Sequence, residues 1–291
     1  MYKEYIRIYI FFELFHFFLS MTSLKPPFCR QGNKYMIRRE IMEWFPEDGV
    51  RVYVELFAGS GAIFFNLGRE GDGGFGGKKK VKYVLNDLDR GVVDRFRLLK
   101  KVPLDGDFRH DLNTLGKLKT FYREVQAKAG DKGKGLSLED KLIFEKIRTC
   151  NGFSGKPVSK PEEIYRAYNP DSILKDLPAY QDRLAGVVLS NKDYEDVVEK
   201  YDGVGVFFFI DPPYQGTQKS TGYSSGSEAF DYERLEGVLR GIRGRFLMTL
   251  NDSPYIRRLF KGFHIVPLKV YTTWGNSSGG VDTRKEVMVM N

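Results

Sequence analysis

Residues 206–216 read VFFFIDPPYQG, an apolar run that ends abruptly in an aspartate, two prolines and a tyrosine. Such a run, closed by prolines that cannot continue a ladder, predicts a buried central strand. Asp211, Pro212, Pro213 and Tyr214 then form a stiff corner at the carboxyl end of that strand, where open α/β sheets bind their ligands. The prolines fix the backbone angles and leave the Pro212 carbonyl with no neighbouring N–H to pair inward. A carboxylate beside a rigid carbonyl can accept both N–H bonds of one amino group, and the tyrosine ring can stack on the flat system carrying it. The plain alternative is a strand that simply turns.

A second motif narrows the chemistry. Residues 52–67, VYVELFAGSGAIFFNL, place FAGSG between a predicted strand and helix. Gly59 and Gly61 allow a tight turn and let backbone amides approach a ligand, with Phe57 beside them. The next predicted strand ends in NDLD, where Asp87 can accept from both hydroxyls of a ribose. Phe64 occupies the third glycine position of the dinucleotide fingerprint, which disfavours NAD and FAD. A ribose-bearing ligand without pyrophosphate fits better, and S-adenosylmethionine (AdoMet) is one. With a methyl donor in view, the corner fits adenine N6, a poor nucleophile whose lone pair is delocalised into its ring. Asp211 and the Pro212 carbonyl would accept its two N–H bonds as the methyl group transfers. Tyr214 would stack on a base turned out of the duplex.

Together these residues resemble the Dam-type DNA adenine-N6 methyltransferases, in which the AdoMet motif comes first, a target-recognition insertion next and DPPY last. The resemblance runs from Pro26 to Asn291. It implies a Rossmann-like AdoMet-dependent methyltransferase sheet with helices on both faces and a mainly helical insertion. It also implies S-adenosyl-L-methionine as cofactor, no metal, and double-stranded DNA as substrate. The family's aromatic-x-Gly-Gly-Lys segment is matched by RQGNK at residues 30–34, with Lys34 and Gly32 in place, Arg30 where an aromatic is common and Asn33 for a glycine. The cofactor set carried over is Arg30, Lys34, Phe57, Gly59, Gly61, Asp87, the pair Asp193 and Tyr194, and Asp211. The catalytic set is Asp211, Pro212, Pro213 and Tyr214.

The insertion, residues 101–185, is expected to read DNA. Arg148, Lys156, Lys160 and Arg166 would position phosphates, and Asn151 or Arg166 would reach base edges; a solvated basic loop is the bland alternative. Residues 215–230, QGTQKSTGYSSGSEAF, are rich in small residues and are expected to close over the base. Lys219, Arg284 and Lys285 would add phosphate contacts. Three other readings stay in view. One is an N-methyltransferase of RNA or of a protein amide, where Asn-Pro-Pro-Tyr is usual. Another is a non-catalytic DNA-binding relative. The third is a cytosine-N4 enzyme, in which serine usually replaces the aspartate. A cognate restriction endonuclease is an open expectation.

The elements that must carry these residues alternate. Strands are predicted at 51–58, 81–87, 186–190, 205–211, 245–251, 264–273 and 286–290. Helices are predicted at 33–45, from 61, from 91, and at 193–201, 231–242 and 253–261. This rhythm predicts a parallel sheet with helices on both faces. Residues 101–185 break it, so the catalytic domain is expected over 21–100 and 186–291. The run GDGGFGGKKK at 71–80 reads as a mobile surface loop.

Composition agrees. The 291 residues are 42% hydrophobic, enough for a real core, and the formal charge of +8 suits a polyanionic partner. Two cysteines, Cys29 and Cys150, are too few for a disulfide framework or a structural zinc site, so a reducing, cytoplasmic setting is expected. Residues 1–20 are aromatic and apolar, but Arg7, Glu13 and His16 interrupt them well short of the roughly 20 residues that span a bilayer. They read as an accessory extension ahead of Met21 rather than a membrane anchor.

Overall fold

The computed structural model describes residues 23–68, 75, 80–104, 112–130, 136–152, 157–165, 172–215, 230–272 and 282–291. The leader, residues 1–20, lies outside the described residues. Among those that are described, no helix is long and apolar enough to cross a membrane.

Seven strands form one sheet: β1 (Val52–Glu55), β2 (Lys82–Asn86), β3 (Val188–Ser190), β4 (Val206–Ile210), β5 (Arg245–Asn251), β6 (His264–Thr272) and β7 (Asp282–Met290). Their order is β3-β2-β1-β4-β5-β7-β6. The first five are parallel, but β7 runs antiparallel to both β5 and β6. The expected parallel direction holds for β1 to β5, and β7 is the exception. Only residues 273–281 separate β6 from β7, short of the dozen or so that a parallel crossover needs.

The central strand shows why its sequence looks continuously apolar. All five residues of β4 are buried. Phe207 and Phe209 face a cluster with Ile41 of α1 (Arg38–Met42), Tyr53, Leu247 and Met288, while Val206, Phe208 and Ile210 face the opposite cluster. Strand alternation is intact, but both faces are covered, so polar residues have no face to occupy. On the second face pack α7 (Tyr194–Tyr201), α8 (Tyr232–Arg240) and α9 (Pro254–Leu259), through residues such as Val197, Leu235 and Ile256. Asp193, Asp231 and Ser253 cap these three helices, each accepting a backbone N–H of the first turn.

Two local readings change. The helix expected from residue 61 appears as a single 3-10 turn, Phe64–Asn66. Its paired phenylalanines pack into the core instead of extending a helical stripe. Of the Gly-Lys run only Phe75 and Lys80 are described, and Phe75 is buried against Phe45, Tyr53 and Phe207, not on the surface.

The segment between β2 and β3 is helical: α2 (Arg90–Lys101), α3 (Leu115–Gly130), α4 (Leu138–Cys150), α5 (Ser172–Lys175) and α6 (Leu177–Leu184). Its apolar faces, Phe96 among them, join Phe65 and Leu85 in one continuous cluster, so it shares a core with the sheet edge. The N-terminal segment runs between the two. Tyr180 donates its hydroxyl to the Lys25 carbonyl, and buried Lys146 donates to the Pro27 carbonyl at 2.7 Å. Cys29 and Cys150 are joined as a disulfide, with Cα atoms 5.0 Å apart. Counting cysteines excluded a framework but said nothing of proximity, and the fold brings these two together across 121 residues.

Candidate active site

The sheet order reverses at β1, which has β2 on one side and β4 on the other. A crevice must open beyond the carboxyl ends of these strands, because their connections leave in opposite directions. A cavity of about 500 Å³ lies there, in the size range of small-molecule sites. Arg30, Lys34, Phe57, Gly59, Asp211, Pro212, Pro213 and Tyr214 all line it, so eight residues singled out from three distant stretches converge. Lys285 lines it as well.

The floor is the glycine turn. Gly59 and Gly61 take φ values of 52° and 70°, and a Cβ on Gly61 would come within 2.8 Å of the Phe65 ring. The turn is held from behind by Asp87, whose two carboxylate oxygens accept the Gly59 and Asp89 amides, each at 2.9 Å. Asp87 is buried and outside the cavity lining, as is Gly61. Burial pushes the Asp87 carboxyl above its usual value despite the pull of Arg30. Arg30 pairs with Asp89 at 3.1 Å; burial pushes Asp89 up, but the guanidinium prevails and holds it below the usual range.

The wall is the corner after β4. Asp211 Oδ1 takes two donors, the Lys34 ammonium at 2.9 Å and the Thr249 hydroxyl at 2.7 Å. Lys34, only 4% exposed, also donates to the Gly32 carbonyl and sits 4.6 Å from the Tyr214 ring centroid. The Pro213 carbonyl accepts from the Tyr232 hydroxyl, and the Gln215 amide donates to the Asn251 side chain at 3.0 Å. Among the described residues, Asp211 Oδ2 and the Pro212 carbonyl receive no such bond. Two acceptors of the corner are thus engaged, and two take no such bond among the described residues.

Two carboxyls in the lining escaped sequence reasoning. Glu55, the last residue of β1, is fully buried and accepts from Tyr53 at 2.8 Å. Burial pushes its pKa from 4.5 to about 8, with Asp211 adding to the rise. Glu286 on β7 accepts from the Tyr214 hydroxyl at 2.6 Å. An acid inside the apolar run VYVEL was a visible signal for the first. Nothing local marks the second, or Thr249, because their partners lie in the corner after β4, far away in the chain.

The remaining expected residues fall elsewhere. Asp193 caps α7 and pairs with Arg234 at 2.8 Å. Tyr194 packs behind Phe57, 5.6 Å between ring centroids, and its buried hydroxyl has no hydrogen-bond partner among the described residues. Burial pushes that hydroxyl up to about 12. In the insertion, Arg148 is engaged by Glu145 at 2.7 Å and Asn151 is fully buried. The Asn151 carbonyl accepts the Tyr165 amide, and Gly152 bridges Ile164, so the loop between them is closed at its base. Lys160 and Tyr165 are exposed on it. Lys156, Arg166 and Lys219 lie outside the described residues, as does the side chain of Arg284.

Comparison with known proteins agrees with this geometry. The chain is 28% identical over 307 residues to a type II methyltransferase, M.MjaIII, of Methanocaldococcus jannaschii, covering 92% of this chain and 99% of that one. It is 25% identical to the type II methyltransferase M.CviBI of Paramecium bursaria Chlorella virus NC1A, covering 82% and 88%. A DNA N-6-adenine-methyltransferase of Escherichia phage P1 is 25% identical over 81% of this chain and 31% of its own. The family described as D12 class N6 adenine-specific DNA methyltransferase matches residues 31–273, from the segment carrying Lys34, through the glycine turn and the insertion, to the end of β6. A match over residues 31–273, which include the glycine turn, the Asp-Pro-Pro-Tyr corner and the helical segment between β2 and β3, places this chain in the D12 class of N6 adenine-specific DNA methyltransferases.

Proposed function

We propose that the cavity beyond β1 and β4 receives both the methionine end of AdoMet and the amino group of an adenine turned out of double-stranded DNA. Family membership gives the reaction, methylation of adenine N6 in DNA. The observation that carries the site assignment is the division of acceptors at the corner. Asp211 Oδ1 and the Pro213 carbonyl are occupied by Lys34, Thr249 and Tyr232, while Asp211 Oδ2 and the Pro212 carbonyl would accept the two N–H bonds of the amino group. An amino group docked there keeps both hydrogens bonded as positive charge grows on nitrogen, in a site whose dipoles are already oriented. Tyr214 supplies the stacking surface.

The cavity suits AdoMet. Phe57 and Ile63 give apolar wall beside the Gly59 turn, and Asp211 gives acid near a cationic ligand. Bound AdoMet supplies an electrophilic methyl group on sulfur. Asp87 would hold the glycine turn and retains lone pairs for a ribose. Tyr194, behind Phe57, would border the cofactor's adenine with its unpartnered hydroxyl. Arg30 would close the cavity opposite.

The catalytic unit comprises residues 21–100 and 186–291, and 101–185 reads the target. Lys160 and Tyr165 on the pinned loop, with Lys156 and Arg166 beside it in sequence, would contact DNA; Arg148 would brace that loop through Glu145. The DNA substrate puts the site of action inside a cell. The naming of two relatives as type II methyltransferases supports a partner endonuclease reading the same site. Sequencing DNA from expressing cells with modified-base detection tests the reading. N6-methyladenine in one sequence context is expected; unmodified DNA together with methylated RNA or protein would overturn it.

A further inference from the structure

Glu286 has no part in the roles assigned above, yet its position in the sheet is specific. It lies on β7 directly across from Asn251, the last residue of β5. The antiparallel direction of β7 therefore delivers an acid to the carboxyl edge, where the parallel strands end. Glu286 is buried, and burying a carboxyl in a strand core is costly without a partner. One partner is Tyr214, at the 2.6 Å separation of a charge-assisted O–H···O bond.

Two of the contacts on Tyr214 fix different motions. Its hydroxyl lies on the ring's long axis, so the bond to Glu286 stops the ring from swinging about Cα–Cβ. The Lys34 ammonium over the face opposes spin about that axis. Lys34 also binds Asp211, so ring plane and carboxylate are referenced to one another. We propose that Glu286 is a positioning residue for adenine methylation: from β7 it anchors the Tyr214 hydroxyl and so sets the height at which the stacked base presents N6 to Asp211. This rests on Tyr214 being the stacking surface.

The test compares Glu286→Gln, Tyr214→Phe, the double variant and Tyr214→Ala with the wild type. Single-turnover methyl transfer is measured at saturating AdoMet on unmethylated DNA carrying the site found by sequencing, alongside AdoMet affinity and melting temperature. Glu286→Gln and Tyr214→Phe should each slow transfer about tenfold, the worth of one charge-assisted hydrogen bond. AdoMet affinity should stay within about twofold, since the bond orients the base and not the cofactor. The double variant should be no slower than either single one, because both remove the same bond. A wild-type rate for Glu286→Gln, fully additive losses, or losses confined to AdoMet affinity or melting would overturn the proposal. A wild-type rate for Tyr214→Ala would instead overturn the stacking role on which it rests.

Discussion

Asp211 meets two demands through different oxygens. Oδ1 balances the buried Lys34 charge, and in the proposed reaction Oδ2 accepts from the amino group. Asp211→Ala should therefore slow methyl transfer at saturating AdoMet by at least about 10²-fold, as for loss of a preorganised electrostatic group. It should also destabilise the fold by roughly 3–5 kcal/mol, because Lys34 loses its ion partner in a buried place. Asp211→Asn keeps an acceptor oxygen and should fall between alanine and wild type; equal rates for all three in folded protein would refute the catalytic role. Glu55 and Lys146 make a second expectation at this scale. Glu55 is raised from 4.5 to about 8, so the folded state binds more protons and stability falls as pH rises through that window. Lys146 is lowered from 10.5 to about 8, chiefly by burial, so the unfolded state binds more protons and stability rises between about 8 and 10.5. Together they should produce a dip near pH 8. Glu55→Gln should flatten its acid side and Lys146→Met its alkaline side in melting curves across pH.

At the scale of elements, the segment leading to Lys34 is held by the insertion before it lines the cavity. Lys146 and Cys150 on α4 and Tyr180 on α6 all grip residues 25–29. Reducing the Cys29–Cys150 bond should lower stability by up to about 4–5 kcal/mol in the chain-entropy account, given a loop of 121 residues. The hydrogen bonds to Lys25 and Pro27 remain, so AdoMet binding should survive reduction. Melting and AdoMet titration with and without reductant would check both statements; unchanged melting would show that the bond adds nothing to the native state. The same elements explain what local patterns missed. Alternation predicted β7 as a short strand, but its full length, Asp282–Met290, follows from pairing with both β5 and β6.

At the scale of the whole molecule, the formal charge of +8 makes DNA binding depend on salt. The exposed Lys160, on the loop closed by Asn151 and Tyr165, is the described lysine best placed to test where that charge acts. Lys160→Ala should weaken DNA binding and reduce the slope of log affinity against log salt by about 1. An unchanged slope would move the DNA path off this loop.

The sequence alone determined the chemistry and most of the frame. FAGSG, Lys34 and the Asp-Pro-Pro-Tyr corner are short-range patterns whose meaning is local: turns that need glycine, a strand that ends at proline, a carboxylate fixed beside a carbonyl. Hydrophobic periodicity likewise placed the five parallel strands and the helices α7, α8 and α9 to within a few residues. The tertiary structure decided what depends on partners distant in the chain. It turned β7 antiparallel, brought Glu286 and Thr249 to the corner, set Asp87 behind the glycine turn and joined Cys29 to Cys150. Each is a pairing between residues tens to over a hundred positions apart, and such pairings leave no periodicity in sequence. They follow from the free energy of closing the whole sheet and its insertion over one core.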